Sequence, residues 1–255
     1  MLKIQTPNGE DRVLLHSCCA PSSSAIIECL LANGIRPTVF YCNPNIYPQE
    51  EYEIRKQEAV RFVTSQNLDF IDADYDYTHW RNTMLGLENE PERGSRCLKC
   101  FTLRLTETAR YASEHGFSVF TTTLASSRWK SLDQINEAGK RAAALYPGTI
   151  FWEQNWRKGG LQDRRNQLLK EYDFYNQLYC GCEFSRKRLE QPEENKRESG
   201  IFSKGRVQKQ AAGPHILIRQ TGVTLSFNNC LTKGQHPSNE LNSIRVRHNN
   251  PCLNT

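Results

Sequence analysis

Arg12-Val-Leu-Leu-His-Ser-Cys18-Cys19-Ala-Pro21-Ser-Ser-Ser24 decides the fold. The apolar run over 13–15 reads as a buried strand that stops at a turn of small and polar residues. An apolar-periodic segment then begins with Ala25, Ile26, Ile27, Leu30 and Leu31, which predicts a helix. Ser22 or Ser23 is its expected N-cap, and Pro21 helps to end the strand. Two adjacent thiols therefore fall at the carboxyl end of a strand, beside a helix N-terminus. Open parallel α/β sheets place their ligands there, and the positive end of a helix favours a thiolate.

The rhythm repeats down the chain. A second strand is expected over 37–41, ending in Cys42-Asn43-Pro44-Asn45, and an amphipathic helix over 50–66. A short third strand over 68–71 runs into Asp72-Ala-Asp-Tyr-Asp76. Residues 80–96 break the pattern, and within them 88–96 read as a loop entering a helix over 97–115. A β-branched fourth strand is expected over 117–124, a helix capped by Ser131, a fifth strand over 149–152, and a helix over 161–176. This β-α-β-α-β order predicts a parallel sheet with right-handed crossovers.

Charge and composition divide the chain near residue 190. Residues 190–255 hold nine of the 33 Lys and Arg but five of the 28 Asp and Glu, so +4 of the net +5 lies there. The whole-chain charge is then weak evidence for a nucleic-acid partner, and local patches must carry that argument. Residues 1–189 are expected to form the catalytic α/β domain. Residues 190–255 show no sustained period and read as a tail for which disorder or loose packing is expected, with at most a hairpin over 216–218 and 223–227. No apolar leader follows Met1 and no stretch reaches the roughly 20 apolar residues of a membrane span, so a cytoplasmic protein without a membrane partner is expected.

Ten cysteines in a reducing compartment argue for metal or redox chemistry rather than a disulfide frame. Cys18-Cys19 joined to Cys97-Leu-Lys-Cys100 makes the arithmetic of a four-thiolate site, which zinc and iron–sulfur both satisfy. Neighbouring side chains diverge, which is awkward for a zinc knuckle, whereas a cubane is wider than one ion. A [4Fe-4S] cluster on Cys18, Cys19, Cys97 and Cys100 is therefore the favoured reading. One buried structural pair and a zinc site are the alternatives. Cys180-Gly-Cys182 is different: a disulfide across one residue closes a strained, easily reduced ring, and the pair suits a two-electron relay. Inert thiols or further metal ligands are its plainer readings. Cys29 reads as core, and Cys230 and Cys252 have no partner at motif spacing.

These stretches resemble the QueH family of epoxyqueuosine reductases: Leu-Leu-His16-Ser-Cys18-Cys19-Ala-Pro21, Tyr41-Cys-Asn43-Pro44-Asn45-Ile46, Glu90-Pro-Glu-Arg93-Gly94-Ser-Arg96-Cys97-Leu-Lys-Cys100-Phe101, Phe120-Thr-Thr-Thr-Leu124 and Tyr179-Cys180-Gly-Cys182-Glu-Phe-Ser185. The resemblance covers most of residues 10–188. It implies a fold like the adenine-nucleotide α-hydrolase (HUP) enzymes, with a parallel sheet flanked by helices. It implies the last step of queuosine synthesis, in which epoxyqueuosine in a tRNA with a GUN anticodon loses its epoxide oxygen. It also implies an iron–sulfur cofactor on Cys18, Cys19, Cys97 and Cys100, a redox-active disulfide between Cys180 and Cys182, and an electron donor it does not identify. A different partition leaves three cysteines on the cluster and uses others, with a carboxylate such as Asp76, to hold an additional iron. Two stretches depart from the pattern: Ser-Ser-Arg128-Trp129-Lys130 stands where a Ser-Pro turn is expected, and the tail after Leu189 matches nothing in it.

ATP is not expected. Ser17-Cys18-Cys19-Ala20 takes the place of the glycine-rich loop with which HUP folds hug phosphate, and thiols replace the glycines. That counts against a PP-loop-like iron–sulfur tRNA thiolation enzyme, one alternative function; a zinc-bound RNA-binding module is the other. For the proton that the epoxide oxygen needs, His16, Asp76 and Tyr179 are candidates. Arg93, Arg96, Lys99, Arg128, Lys130, Arg157 and Lys158 flank the loops at the expected site. Trp80, Trp129 and Trp156 are interleaved with them, as phosphate contacts and base stacking on an anticodon loop require.

Overall fold

The computed structural model describes residues 2–190 and the backbone of Arg247–His248. Its sheet is parallel throughout. Strands β1 (Arg12–His16), β2 (Arg36–Tyr41), β3 (Phe70–Asp72), β4 (Val119–Thr122), β5 (Ile150–Phe151) and β6 (Arg247–His248) lie in the order β5-β4-β1-β2-β3-β6. Both sides of β1 are paired, with Leu14 opposite Thr38 of β2 and Phe120 of β4. A strand covered on both faces needs no polar alternation, and Val13, Leu14 and Leu15 are all fully buried.

From β1 the chain first builds toward β3, then returns to lay β4 on the other side of β1. Right-handed crossovers in opposite directions put helices on opposite faces. Accordingly α1 (Ala20–Ala32) packs on α2 (Gln49–Ser65) and α6 (Leu161–Glu171), while α4 (Ser95–Glu114) packs on α5 (Leu132–Leu145). The gap between the carboxyl ends of β1 and β4 is the switch point of the sheet, where such folds hold ligands.

Helix α1 begins earlier than the sequence suggests. Cys19, with extended backbone at φ −177°, is its N-cap, and Pro21 lies in its first turn instead of ending the strand. A proline there gives up an N–H that has no helical partner in any case. Ser22 and Ser23 are inside the helix, and Ser23 Oγ donates back to the Cys19 carbonyl at 2.9 Å. Two short helices were not legible: α3 (Tyr77–Thr83), which overlaps the start of the stretch that breaks the pattern, and α7 (Glu183–Glu190) after the last cysteines. Helix α6 stops at Glu171, and Asp173 at φ +48° turns the chain away. β6 is a further departure, because two residues of the expected tail extend the sheet beside β3. The expected hairpin, Cys230 and Cys252 lie outside the described residues.

Gly139 shows how closely α5 meets the sheet, since a Cβ there would overlap the Phe151 ring of β5. Gly139→Ala is expected to cost roughly 1–3 kcal/mol by overpacking. The measurement is the urea midpoint against wild type; an unchanged midpoint would show that the ring moves aside freely.

Candidate active site

A cavity of about 550 Å³ opens at the switch point, and Cys18, Cys19, Cys97, Cys180 and Cys182 all line it. Three separate segments bring them there: the β1–α1 turn, the first turn of α4, and the loop before α7. Cys100 sits just behind this wall in a small apolar cluster with Trp80 and Met84, against which Cys182 packs. Among the described residues all eight cysteines are free thiols, Cys180 and Cys182 included. Among them also, no three His, Cys, Asp or Glu side chains sit close enough to share a single metal ion.

The four sulfurs expected to bind a cluster each have a polar partner. Thr123 Oγ1 lies 3.5 Å from Cys18 Sγ, and Gln177 Nε2 donates to Cys19 Sγ at 2.9 Å. The Arg93 backbone N–H donates to Cys97 Sγ and the buried Trp80 indole N–H to Cys100 Sγ, both at 3.3 Å. Cys18 and Cys19 lie 3.9 Å apart, sulfur to sulfur, so one proton serves both. The bond from Cys19, with the positive charge of Lys130, holds Cys18 well below the usual thiol range. Burial pushes Cys97 up to about 11 and Cys182 up to about 12.

Two buried arginines build the floor. Arg104 Nε donates to the Cys42 carbonyl at 3.1 Å, and its other end reaches Asn43 Oδ1, whose amide in turn donates to the Ser17 carbonyl at 2.9 Å. Arg55 pairs with Glu51 at 2.7 Å, and both are buried. Its guanidinium also donates to the carbonyls of Tyr179 and Cys180, at 3.3 Å each. Gly181 completes this docking. At φ +121° it takes a conformation that side chains disfavour, and a Cβ there would press on Arg55 and Ile46. The Gly181 carbonyl accepts from the Tyr47 N–H at 2.8 Å. Arg55 and Glu51 were missed in the sequence, where they look like ordinary helix-surface charges.

Several expected site residues have other duties. His16 is fully buried, with Nε2 donating to the Cys42 carbonyl at 3.0 Å and Nδ1 2.8 Å from the Thr122 hydroxyl. A carbonyl only accepts, so the proton sits on Nε2. Burial first, and Arg104 second, drive the ring pKa well below 6.5, so the ring stays neutral and its single N–H is held by the Cys42 carbonyl. Asp76 caps α3 by accepting from the His79 N–H at 2.8 Å, and it lines a second cavity, not the one with the cysteines. Tyr179 OH donates to the Tyr47 carbonyl at 2.6 Å, and burial, aided by Glu51, raises it to about 12.

The expected RNA-binding set also divides. Trp156 is 0% exposed and spends its indole N–H on the Thr122 carbonyl, so it stacks on no ligand. Trp80 is buried too. Arg96 also lines the cysteine cavity but is 3% exposed, and its guanidinium holds the carbonyls of Leu87 and Glu88 and lies on the Phe184 ring. Exposed Lys99 faces the second cavity. Arg93, Arg128, Trp129 and Lys130 line the cysteine cavity. Arg157 lies against that segment, donating to the Lys130 carbonyl at 2.9 Å, and Lys158 is exposed nearby in sequence.

Two outcomes follow from this geometry. Arg55→Met strands the Glu51 carboxylate and frees the Cys180 loop, and is expected to cost roughly 3–5 kcal/mol. Urea unfolding of both single variants and of the Glu51→Gln/Arg55→Met double variant should show a double loss smaller than the sum. In metal-free reduced protein, iodoacetamide at pH 7 should alkylate Cys18 first. Cys97 and Cys182 should react only as the pH climbs toward their raised values, which peptide mass spectrometry resolves.

Comparison with known proteins agrees with this architecture. The family model described as epoxyqueuosine reductase QueH matches residues 13–188. Proteins named epoxyqueuosine reductase QueH are similar over the same region. The Haemophilus influenzae protein is 49% identical over 183 residues, covering 72% of this chain and 75% of its own. The Acinetobacter baylyi protein is 48% identical over 184 residues, covering 72% and 84%. The Thermotoga maritima protein is 34% identical over 177 residues, covering 68% and 89%. The chain carrying this ring of thiols therefore belongs to the QueH family of epoxyqueuosine reductases.

Proposed function

We propose that this protein removes the epoxide oxygen of epoxyqueuosine in the anticodon loop of a GUN-anticodon tRNA, giving queuosine. The observation that carries the reading is the convergence of five cysteines from three segments on one cavity at the sheet's switch point. Family membership supports a reductase over a thiolation enzyme or a zinc-bound RNA-binding module.

Cys18, Cys19, Cys97 and Cys100 suit a [4Fe-4S] cluster by the chemistry of their donor set. All four have polar partners fit to stabilise thiolate sulfur, and a cubane accepts sulfurs set farther apart than one ion does. When bound, the cluster supplies one-electron redox chemistry beside the cavity. An additional iron bound through Asp76 does not follow from this cavity, because Asp76 caps a helix elsewhere.

Deoxygenation breaks both C–O bonds, forms a C=C bond and releases water, and it consumes two electrons and two protons. Oxidation of the Cys180 and Cys182 thiols to a disulfide releases two electrons and two protons, so the step balances. A donor of a kind still unidentified must then reduce the pair again. Arg55 and Gly181 hold the Cys180 loop at the cavity. Lys130 is the cation best placed for the departing oxygen. Burial lowers its pKa, but the facing sulfurs of Cys180 and Cys18 outweigh that and keep it protonated. Lys130 thus offers a hydrogen bond where His16, Asp76 and Tyr179 do not.

Anaerobically purified, reduced full-length protein should convert epoxyqueuosine to queuosine in isolated tRNA, as read by nucleoside mass spectrometry. Unchanged epoxyqueuosine with a loaded cluster would end this reading. Lys130→Met is expected to lower the single-turnover rate roughly 100-fold or more, and Lys130→Arg less, if the ammonium assists the leaving oxygen.

A further inference from the structure

Trp129 is the anomaly on the cavity rim. The chain has four tryptophans; Trp80, Trp152 and Trp156 are buried, whereas Trp129 is 80% exposed. Leu178, 82% exposed, lines the same cavity. Large apolar side chains left in water beside a concave site mark a binding surface.

The indole is held out by a bracket. Arg93, in the left-handed region at φ +67°, donates from Nε to the Trp129 carbonyl at 3.1 Å and from a terminal nitrogen to the Arg128 carbonyl at 2.9 Å. Its own carbonyl accepts from Gln134 Nε2 at 2.8 Å, which ties it to α5. Its backbone N–H donates to Cys97 Sγ. One residue thus joins the loop carrying Trp129 to the wall of thiols, and a guanidinium spent on two carbonyls is not a phosphate clamp.

We infer that Trp129 is a platform on which an unpaired base of the RNA stacks while the target nucleoside enters the cavity, and that Arg93 is the positioning residue that fixes this platform. The inference rests on the tRNA reading above and deepens it. An unpaired RNA loop is the occupant that the chemistry favours. Arg128, Arg165 and Arg188 line the same cavity and offer positive charge to a phosphate backbone. An indole stacks on any base face, whereas a base-paired stem offers none. The cavity volume of about 550 Å³ is in the range of small-ligand pockets and admits one nucleoside.

The test uses the full-length reduced protein and an unmodified anticodon stem-loop RNA, so it does not depend on turnover. With one exposed tryptophan and three buried, RNA binding should quench the tryptophan fluorescence, and Trp129→Phe should abolish the quenching while retaining most of the affinity. Trp129→Ala should weaken binding roughly 5- to 150-fold without changing the salt dependence. Arg128→Ala should lower the slope of log affinity against log salt by about 0.7. Arg93→Lys, with cluster content verified by iron and sulfide assay, should weaken stem-loop binding as Trp129→Ala does and leave the salt slope alone. Equal affinity of wild type and Trp129→Ala would overturn the platform, as would RNA that binds without quenching. If epoxyqueuosine stays unconverted while Trp129 is quenched, the reductase reading fails and the platform stands.

Discussion

His16 fixes the place where everything else is arranged. It ends β1, the strand at the centre of the sheet, and its two ring nitrogens reach the ends of both neighbours: Thr122 of β4 on one side and the Cys42 carbonyl after β2 on the other. The Thr122 hydroxyl also accepts from the Leu124 N–H and so starts the 3₁₀ turn behind it. The neutral tautomer satisfies all of these at once, and burial enforces neutrality. Cys18 and Cys19 follow two and three residues later, so the position of the first thiol pair is set by a hydrogen-bonded clamp across three strands.

The second constraint is the docking of the Cys180 loop. That loop lies outside the sheet and has little backbone pairing of its own. It is held by the Glu51–Arg55 pair from α2, by the Tyr47 N–H, and by Gly181, whose lack of a side chain lets Arg55 approach. Breaking any one contact leaves a buried charge or an unpaired carbonyl, which is why a short segment stays in register. The Cys180–Cys182 segment is thus attached to α2 and the loop before it, while the expected cluster ligands belong to the turn after β1 and to α4.

The sheet, its order of strands and helices, and the gathering of distant thiols were legible because apolar period and cysteine spacing are local signals. What failed had a common cause. Pro21 and Asp76 were read for the chemistry of their types, yet both serve helix starts, one in the first turn of α1 and one as the cap of α3. Trp156 and Arg96 were read as surface groups because a basic or aromatic stretch does not say which side chain turns inward. Their hydrogen bonds to the Thr122, Leu87 and Glu88 carbonyls, made across the fold, decide it. Arg55 escaped notice for the same reason, since helix periodicity predicts burial poorly when the buried residue is charged.

Arg104 ties the charge state of the site to the proposed function. It is 2% exposed, and among the described residues it has no carboxylate partner. Its guanidinium hydrogen-bonds the Cys42 carbonyl and Asn43, which are neutral, and reaches the Cys100 sulfur. A buried charge facing only dipoles is costly. Sulfurs are among the groups around it that can carry negative charge: Cys18 is lowered chiefly by its bond from Cys19, with a smaller pull from Arg104, and Arg104 opposes the burial that raises Cys100. The guanidinium therefore finds its counter-charge when these cysteines are thiolates, which is the state a metal requires. A site of neutral thiols would leave Arg104 uncompensated, whereas an anionic thiolate centre at the switch point compensates it, and the cation in turn favours electron-rich sulfur beside the cavity.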